Sequence, residues 1–334
     1  MKKFAFVFPG QGSQSVGMLN AWGDHPAIVS TLAEASDALG EDIRALIANG
    51  PAEALAQTRN TQPVMLAAGV ACFRAWQAEG GATPGMLAGH SLGEYSALVV
   101  AGVLTLAQAA PLVRFRAEAM QQAVPAGEGA MAAILGLSAT EIIAACADIQ
   151  RAEGTFDAKN SPDLAASGTA GISGLLGVVQ AVNFNDPLQT VIAGNRAAVE
   201  KACEVLKALG ARRTLMLPVS APFHSSLMQP AAEKLRERLA SMAFAAPQIP
   251  FVNNVDVAIE SEPELIKDAL VRQAASPVRW VECIQALQAQ GYPLVVECGP
   301  GKVLAGLVKR INAGMTGHAW FDPSTLTTTQ ELLA

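Results

Sequence analysis

Short, mainly apolar runs alternate with longer stretches of mixed polar and apolar residues along most of the chain. Apolar runs of about five residues predict strands that are buried on both faces, and the intervening stretches favour helices. Such runs occupy residues 4–8, 86–88, 249–255 and 294–297. Strands that alternate with helices in this way predict a parallel sheet covered by helices on both faces, which is an α/β fold.

The pattern changes between residues 128 and 217, where strands and helices follow the order β-α-β-β-α-β of a ferredoxin-like unit. Strands are predicted at 130–135, 178–184, 190–192 and 214–217, and helices at 140–151 and 197–209. We therefore expect a small ferredoxin-like α+β domain at 128–217, inserted into a large domain formed by residues 1–127 and 218–334. The stretch 154–177 is rich in Gly, Ser, Ala and Thr, which predicts an extended surface loop without a catalytic role.

Several helix starts are marked by residues that cap helices. Thr61 precedes Gln62-Pro63 and is predicted to be an N-cap, with Pro63 in the first turn. Residues 105–108 (Thr-Leu-Ala-Gln) and 261–264 (Ser-Glu-Pro-Glu) fit the capping box, which predicts that a helix begins at each. Pro111 then lies inside a helix, where it is expected to cause a kink or to reset the helix start.

Charge and cysteine content argue against several classes of protein. The formal net charge of −6 is the opposite of the basic balance on which non-specific nucleic-acid binding depends. The five cysteines are scattered without a CxxC pair, so neither a disulfide framework nor a zinc site is expected, and a reducing, cytoplasmic location fits. The apolar stretch 97–113 contains polar residues and a proline, so we interpret it as buried helices and expect no membrane segment.

The pentapeptide Gly-His-Ser-Leu-Gly at 89–93 fits the nucleophile elbow G-x-S-x-G between a predicted strand and a predicted helix. Glycines on both sides of Ser91 permit the sharp turn, and the helix N-terminus favours negative charge that develops beside the serine. The alternative is an ordinary strand-to-helix loop. The strand and helix on either side favour a serine nucleophile at Ser91.

A serine nucleophile needs a base, and the chain has four histidines. His224 follows a predicted strand in a loop, whereas His25 and His318 lie in polar, surface-like contexts. His90 adjoins the serine, but neighbouring side chains at a sharp turn usually diverge. Context favours His224, although sequence spacing alone does not select it.

The glycine-rich stretch after the first strand, Pro-Gly-Gln-Gly-Ser-Gln at 9–14, has two interpretations. Its backbone N–H groups could form an oxyanion hole together with the N–H of Leu92. A phosphate-binding loop is the alternative, but the stretch lacks the G-x-x-x-x-G-K-[ST] pattern and a nearby lysine.

Five segments together resemble the bacterial malonyl-CoA:acyl carrier protein transacylases, the stand-alone enzymes of dissociated fatty-acid synthesis. They are FVFPGQGSQ (6–14), GHSLGEYSAL (89–98), PFHS (222–225), VNNV (252–255) and ECGPGKVL (297–304). The similarity runs nearly from end to end in the family's order. It implies an α/β-hydrolase-like large domain and a small ferredoxin-like domain, with the active site between them.

The resemblance also implies roles for individual residues. The implied set comprises Ser91 as the acylated nucleophile, His224 as its base, Gln11 and Leu92 as backbone oxyanion-hole donors, Arg116 as the ligand of the malonyl carboxylate, and Gln273 as the residue whose backbone carbonyl orients the histidine. Arg114, two residues before Arg116, is interpreted as a solvated helix arginine. Leu92 and Phe223 resemble the residues found in the malonyl-selecting acyltransferase domains of polyketide synthases. The long 154–177 stretch, Pro111 and Cys298 depart from the family's pattern, and we interpret Cys298 as a small buried residue.

The resemblance implies transfer of a malonyl group from malonyl-CoA to the phosphopantetheine thiol of holo acyl carrier protein, with release of CoA. No cofactor or metal is implied, no nucleic-acid or membrane partner is expected, and a monomer is predicted. The alternatives are a plain serine hydrolase or thioesterase, a trans-acting polyketide acyltransferase and a non-catalytic module that binds carrier proteins. Candidate cations for carrier docking are Arg114, Lys201, Lys207, Arg212 and Arg213, although scattered surface charge explains them equally well.

Overall fold

The structure, a computed structural model, describes residues 2–154, 177–219 and 221–334. The predicted loop at 154–177 therefore falls almost entirely outside the described residues. In chain order, the described strands are β1 (Phe4–Phe8), β2 (Met86–Gly89), β3 (Gly129–Leu135), β4 (Val179–Asp186), β5 (Gln189–Asn195), β6 (Arg213–Met216), β7 (Phe251–Val252), β8 (Leu294–Cys298) and β9 (Thr316–Trp320).

Helices fill most of the chain between the strands. The described α-helices are α1 (Pro26–Leu39), α2 (Ile43–Asn49), α3 (Ala52–Ala56), α4 (Thr58–Ala78), α5 (Gly93–Val100), α6 (Leu106–Gln122), α7 (Ala139–Gly154), α8 (Arg196–Ala208), α9 (Gln229–Ala240), α10 (Pro263–Ala274), α11 (Trp280–Ala289), α12 (Val303–Ile311) and α13 (Leu326–Leu333). None of these described helices combines the length and the apolar character that crossing a membrane requires.

Five parallel strands form the larger sheet in the order β7-β2-β1-β8-β9. Successive side chains of a strand point to opposite faces, and β1 supplies apolar residues to both. Phe6 and Phe8 belong to the core on the side of α4, whereas Ala5 and Val7 belong to the core on the side of α11 and α12. Both faces are therefore covered, as the mainly apolar runs predict.

Four antiparallel strands form the second sheet in the order β4-β5-β3-β6. Helices α7 and α8 cover one face, where Ile134, Ile142 and Leu206 are buried together. The other face packs against α6 and α9 of the larger layer through Met131, Met120 and their neighbours. The order of elements and the strand order are those of a ferredoxin-like unit. The predicted fold class is confirmed.

One predicted helix start and one predicted capping box are wrong. Helix α4 begins at Thr58, so Thr61 and Pro63 lie inside it, and the Thr61 hydroxyl donates to the carbonyl of Leu55 at 2.6 Å. Helix α10 begins at Pro263, within the predicted segment 261–264, but its N-cap is Glu262 and makes no side-chain cap. Pro263 suits the first helical position, where its missing N–H costs nothing. Ser261 consequently lies one residue too early to cap the helix.

The capping box at Thr105 is confirmed. The Thr105 hydroxyl accepts from the N–H of Gln108 at 3.2 Å, and the Gln108 side chain accepts from the N–H of Thr105 at 3.0 Å. Helix α6 starts there and continues through Pro111, so the proline does not reset its start.

The strand predicted at 249–255 is much shorter in the structure, since β7 covers two residues. Beyond Val252, the backbone N–H of Asn253 donates to the carbonyl of Ala258, and that of Asn254 donates to the side chain of Glu94. These groups are therefore not free to extend the sheet, and the chain turns toward the serine elbow instead.

Candidate active site

Ser91 occupies a tight turn between β2 and α5 and has a φ of 52°. The two glycines of the turn lie against neighbouring backbone. A Cβ at Gly89 would lie 1.9 Å from the carbonyl carbon of Gly93, and one at Gly93 would lie 2.0 Å from the carbonyl oxygen of Phe8. A side chain at either position would push the elbow apart, so the Gly-x-Ser-x-Gly spacing is a steric requirement.

The side chains of Ser91 and His224 meet across 133 residues of sequence. Ser91 Oγ lies 2.7 Å from His224 Nε2, and His224 Nδ1 lies 2.9 Å from the backbone carbonyl of Gln273. A carbonyl only accepts, so Nδ1 carries the proton and Nε2 is free to accept the serine hydroxyl. Burial, together with the nearby charge of Arg116, lowers the pKa of His224 to about 3, which keeps the imidazole neutral at physiological pH.

Arg116 brings a buried guanidinium to the same point. Its Nη2 donates to Ser91 Oγ at 3.2 Å and to Gln273 Oε1 at 2.9 Å, while Nη1 donates to Gln62 Oε1 at 2.8 Å. The residue is 1% exposed, and its guanidinium lies 5.4 Å from the centre of the Tyr95 ring. Burial lowers the pKa of Arg116. The side chain forms no ion pair with a carboxylate of the described residues.

Arg114 differs from its sequence interpretation. Its two terminal nitrogens donate to the two carboxylate oxygens of Glu41, both at 2.8 Å, and its side chain is only 12% exposed. It is therefore a paired arginine that links α6 to the loop before α2, rather than a solvated one. Although Pro111 lies inside the same helix, Arg116 is within hydrogen-bonding distance of Ser91.

The side chain of Gln273 contributes as much to the site as its backbone does. Its Nε2 donates to the backbone carbonyl of Ser91 at 3.0 Å, and its Oε1 accepts from Arg116. The residue is fully buried. The resemblance pointed only to the carbonyl, so the sequence analysis missed the amide.

Sequence analysis also missed two residues that hold the elbow from outside. Asn254 accepts from the N–H of Ser91 through Oδ1 and donates to the carbonyl of Gly89 through Nδ2, both at 2.7 Å. Glu94 Oε2 accepts from the N–H of Asn254 at 2.9 Å and from Gln273 Nε2 at 3.0 Å. Both residues lie within segments that carry the family resemblance, which is the signal that could have pointed to them.

The predicted oxyanion-hole donors lie at the same end of the parallel sheet. Gln11 follows β1, which pairs with β2 so that Phe8 faces Gly89, and Leu92 is the N-cap of α5. Within the described residues, the backbone N–H of neither Gln11 nor Leu92 donates a hydrogen bond. Their role as donors stays a prediction.

The remaining histidines have other contacts. His90 Nε2 lies 2.8 Å from Asn185 Oδ1, so its ring points toward the antiparallel sheet and away from Ser91. His25 caps α1 and pairs with Glu79, and His318 Nε2 lies 2.8 Å from the hydroxyl of Thr329. His224 is thus the histidine that reaches the serine.

An open cleft of about 640 Å³ lies beside this constellation. Its lining includes Gln11, Gln57, Arg59, Pro218 and Val219. It reaches the site at Gln11 rather than at Ser91. Among the described residues there is no cluster of three or more His, Cys, Asp or Glu side chains that could hold a metal ion. Cys298 is fully buried, and burial raises its pKa, consistent with a small apolar residue.

Comparison with known proteins now identifies the family. Residues 5–169 and 173–313 match the model of the acyl transferase domain family. The malonyl CoA-acyl carrier protein transacylase of Escherichia coli strain K12 is 50% identical over 333 residues, which cover 99% of this chain and 100% of that protein. The chain belongs to the malonyl CoA-acyl carrier protein transacylase family. The family resemblance is thereby confirmed, and the protein is an acyltransferase.

Solved structures of family members agree in fold. An acyl-carrier-protein S-malonyltransferase from Burkholderia pseudomallei 1710b is 58% identical, with a TM-score of 0.90 over 98% of this chain and 99% of that chain. A malonyl-transacylase in complex with a type II PKS acyl-carrier protein is 47% identical, with a TM-score of 0.90 over 99% of this chain and 100% of that chain. The sheets described above are therefore the family's fold.

Proposed function

We propose that this enzyme transfers a malonyl group from malonyl-CoA to the phosphopantetheine thiol of an acyl carrier protein through a malonyl ester on Ser91. The transfer supplies the elongation of fatty-acid chains. The observation that carries the proposal is the buried Arg116, whose guanidinium is held by neutral oxygens within 3.2 Å of the nucleophile.

A buried guanidinium without a direct ion-pair partner favours a ligand that supplies one. Neutral amide oxygens hold Arg116 in place, and no carboxylate of the described residues pairs with it directly. A carboxylate at the end of a short acyl chain supplies both the charge and two acceptor atoms for the planar fork. An acetyl group offers neither, so the site is suited to malonyl among short acyl groups.

In the first half-reaction, Ser91 Oγ bonds to the thioester carbonyl carbon while its proton passes to His224 Nε2. The negative charge on the carbonyl oxygen is stabilised by the backbone N–H groups of Gln11 and Leu92. The C–S bond then breaks, and His224 returns the proton to the sulfur. The products are malonyl-Ser91 and CoA.

The second half-reaction runs the same steps with the carrier thiol as nucleophile. The thiol gives its proton to His224 as its sulfur bonds to the ester carbonyl, and the C–Oγ bond breaks with return of the proton to Ser91. No proton is gained or lost over the cycle. The neutral carbonyl of Gln273 suffices to orient the imidazole, because a thioester is already activated.

The proposed enzyme has two domains. Residues 1–127 and 218–334 form the large domain, and residues 128–217 form the small one. We also propose that the enzyme acts as a cytoplasmic monomer without nucleic-acid or membrane partners. The net charge of −6 argues against nucleic-acid partners, and the five scattered cysteines fit a reducing compartment.

The test is intact-mass measurement after mixing with malonyl-CoA, methylmalonyl-CoA or acetyl-CoA, followed by holo acyl carrier protein. Malonyl-CoA should add one malonyl group, and the carrier should remove it. Ser91→Ala should abolish the adduct, because the atom that bonds to the acyl group is gone. An adduct of equal yield on the Ser91→Ala variant would refute Ser91 as the nucleophile.

A polyketide carrier is the second candidate acceptor. The relative solved with a type II PKS acyl-carrier protein is 47% identical over nearly the whole chain, which favours including such carriers in the assay. Faster discharge of malonyl-Ser91 to a polyketide carrier than to a fatty-acid carrier would support this alternative. Release of free malonate faster than either transfer would indicate a thioesterase.

A further inference from the structure

Glu94 is a buried acidic residue for which the reaction above has no step. It is the second residue of α5, three residues after Ser91, and is 1% exposed. An ionised carboxylate at such depth is costly unless it is paired or hydrogen-bonded. Its position close to the nucleophile therefore calls for an explanation.

Hydrogen bonds connect Glu94, through two neighbouring residues, with Ser91, Arg116 and His224. Its Oε2 accepts from the N–H of Asn254 and from Gln273 Nε2. Asn254 in turn holds the N–H of Ser91 and the carbonyl of Gly89. Gln273 holds the carbonyl of Ser91, the guanidinium of Arg116 and, through its backbone, the imidazole of His224. Glu94 thus contacts both residues that fix the nucleophile.

We propose that Glu94 is a positioning residue that balances the charge of Arg116 through the side-chain amide of Gln273. The inference rests on the proposed function, because it concerns how malonyl is selected. An ionised Glu94 only accepts hydrogen bonds, so it requires the NH2 end of the Gln273 amide. The oxygen end of that amide must then face Arg116. The amide carries the polarisation from the anion to the cation without a direct ion pair.

The arrangement explains how the guanidinium can be buried and still be available to substrate. A carboxylate in direct contact with Arg116 would occupy the donors that a malonyl group needs. A carboxylate one amide away compensates part of the charge and leaves the face toward Ser91 open. Arg116 and the carbonyl of Ser91 favour the same orientation of the amide, so loss of the Glu94 charge would not reverse it. It would weaken the strongest hydrogen bond to the Gln273 NH2, and the Gln273 oxygen would then hold the guanidinium less firmly.

The chain offers a matched control for a change at Glu94. Glu297 is a fully buried glutamate whose Oε2 accepts from the N–H of Ala305 at 2.8 Å, away from Ser91 and Arg116. Burial raises the pKa of both Glu94 and Glu297 to about 7. Glu94→Gln and Glu297→Gln therefore make the same chemical change in similar surroundings, but only the first touches the network of Gln273.

The experiment measures kcat/KM for acylation of the full-length enzyme by malonyl-CoA and by acetyl-CoA. At about pH 8.5, where Glu94 is ionised, we expect Glu94→Gln to lower the ratio of malonyl to acetyl acylation by about tenfold. This is the size expected when a hydrogen bond to a charged acceptor becomes one to a neutral acceptor. Glu297→Gln should leave the ratio unchanged. A folded Glu94→Gln variant with the wild-type ratio would overturn the inference while the proposed function stands. Wild-type enzyme that is not acylated by malonyl-CoA would overturn both.

The wild-type enzyme provides a second readout that does not depend on how the variant folds. The groups whose charges act on Glu94 are Arg116 of α6 and Asp256 of the loop after β7, and Tyr95 of α5 and Cys283 of α11 are influenced by its charge. Pairing with Arg272 lowers the pKa of Asp256, whereas burial raises the pKa of Tyr95 to about 12 and also raises that of the Cys283 thiol.

Near neutral pH, Glu94 is thus the member of this group that titrates. The malonyl-to-acetyl ratio should fall as the pH decreases through about 7, because protonation removes the charge. It should not fall in this way in a folded Glu94→Gln variant. A wild-type ratio that stays constant from about pH 5.5 to about pH 8.5 would also overturn the inference.

Discussion

In the proposed function, selectivity for malonyl depends, at the scale of single residues, on how one guanidinium is oriented. Two amide oxygens, from Gln62 and Gln273, fix the plane of Arg116 before substrate arrives, and the Tyr95 ring lies beside it. A long arginine side chain loses rotamer entropy when it is ordered. Here that cost is met on folding, so a malonyl carboxylate meets a donor fork that is already oriented.

Replacement of Arg116 tests this interpretation. Arg116→Ala should lower kcat/KM for acylation by malonyl-CoA by about 100-fold or more, which corresponds to loss of a buried charged pair of about 3 kcal/mol. Acylation by acetyl-CoA should change much less, so that acetyl-CoA competes. Arg116→Lys is the control, because it keeps the charge and loses the planar fork. An unchanged preference for malonyl in Arg116→Ala would remove the residue from its proposed role.

At the scale of elements, the site is assembled from the ends of β1, β2 and β7 and from three helices. Ser91 stands between β2 and α5, Arg116 extends from α6, and Gln273 lies near the end of α10. Sequence patterns predicted β1 and β2 and the start of α6 because apolar runs and a capping box are local signals. The same patterns placed the start of α4 wrongly, since Thr61 meets its acceptor at Leu55 only once the helix is packed.

Replacement by alanine should have opposite effects on stability at Gly93 of the elbow and at Gly306 of α12. Gly93→Ala should destabilise the protein by several kcal/mol, about the cost of severe overpacking, since its Cβ would meet the backbone oxygen of Phe8 at 2.0 Å. Gly306→Ala in α12 meets nothing within 4 Å and should stabilise the protein by about 0.5–1 kcal/mol through helix propensity.

Urea denaturation of both variants gives the two free energies of unfolding. A Gly93→Ala variant as stable as wild type would mean that α5 can move away from β1 without cost.

At the scale of the whole molecule, two sheets enclose the site. His90 of the elbow contacts Asn185 of β4, and the N–H of Phe184 donates to the carbonyl of Val278, so the antiparallel sheet is fixed to the chain around the nucleophile. The order β-α-β-β-α-β was predictable from sequence. The contact of Ser91 with His224 was not, because nothing in local sequence joins positions 133 residues apart. Likewise, strand β9 carries little apolar signal and was not predicted.

Buried acids make the stability of the whole fold depend on pH. The pKa of Glu297 is raised from 4.5 to about 7, so the native state holds its proton more tightly than the unfolded chain does. The stabilisation is complete below about pH 4.5 and is lost as the pH rises through about 7, and its size is about 3 kcal/mol. The Glu297→Gln variant has no titratable group at this position. The free energy of unfolding of the wild type, relative to that of the variant, should therefore decrease between about pH 5 and about pH 8.

Thermal unfolding of both proteins across this range checks the prediction. Other titrating groups contribute equally to wild type and variant, so their difference isolates Glu297. Parallel curves for the two proteins would contradict a raised pKa at this position.

The acceptor that orients the imidazole is a peptide oxygen, and every one of the twenty amino acids carries the same oxygen at position 273. No point mutation there can delete it. Substitution at this position instead removes the amide that links the guanidinium, the serine carbonyl and the buried glutamate. A mutational scan of residue 273 would therefore report on recognition of the acyl group, with the alignment of the general base left largely intact.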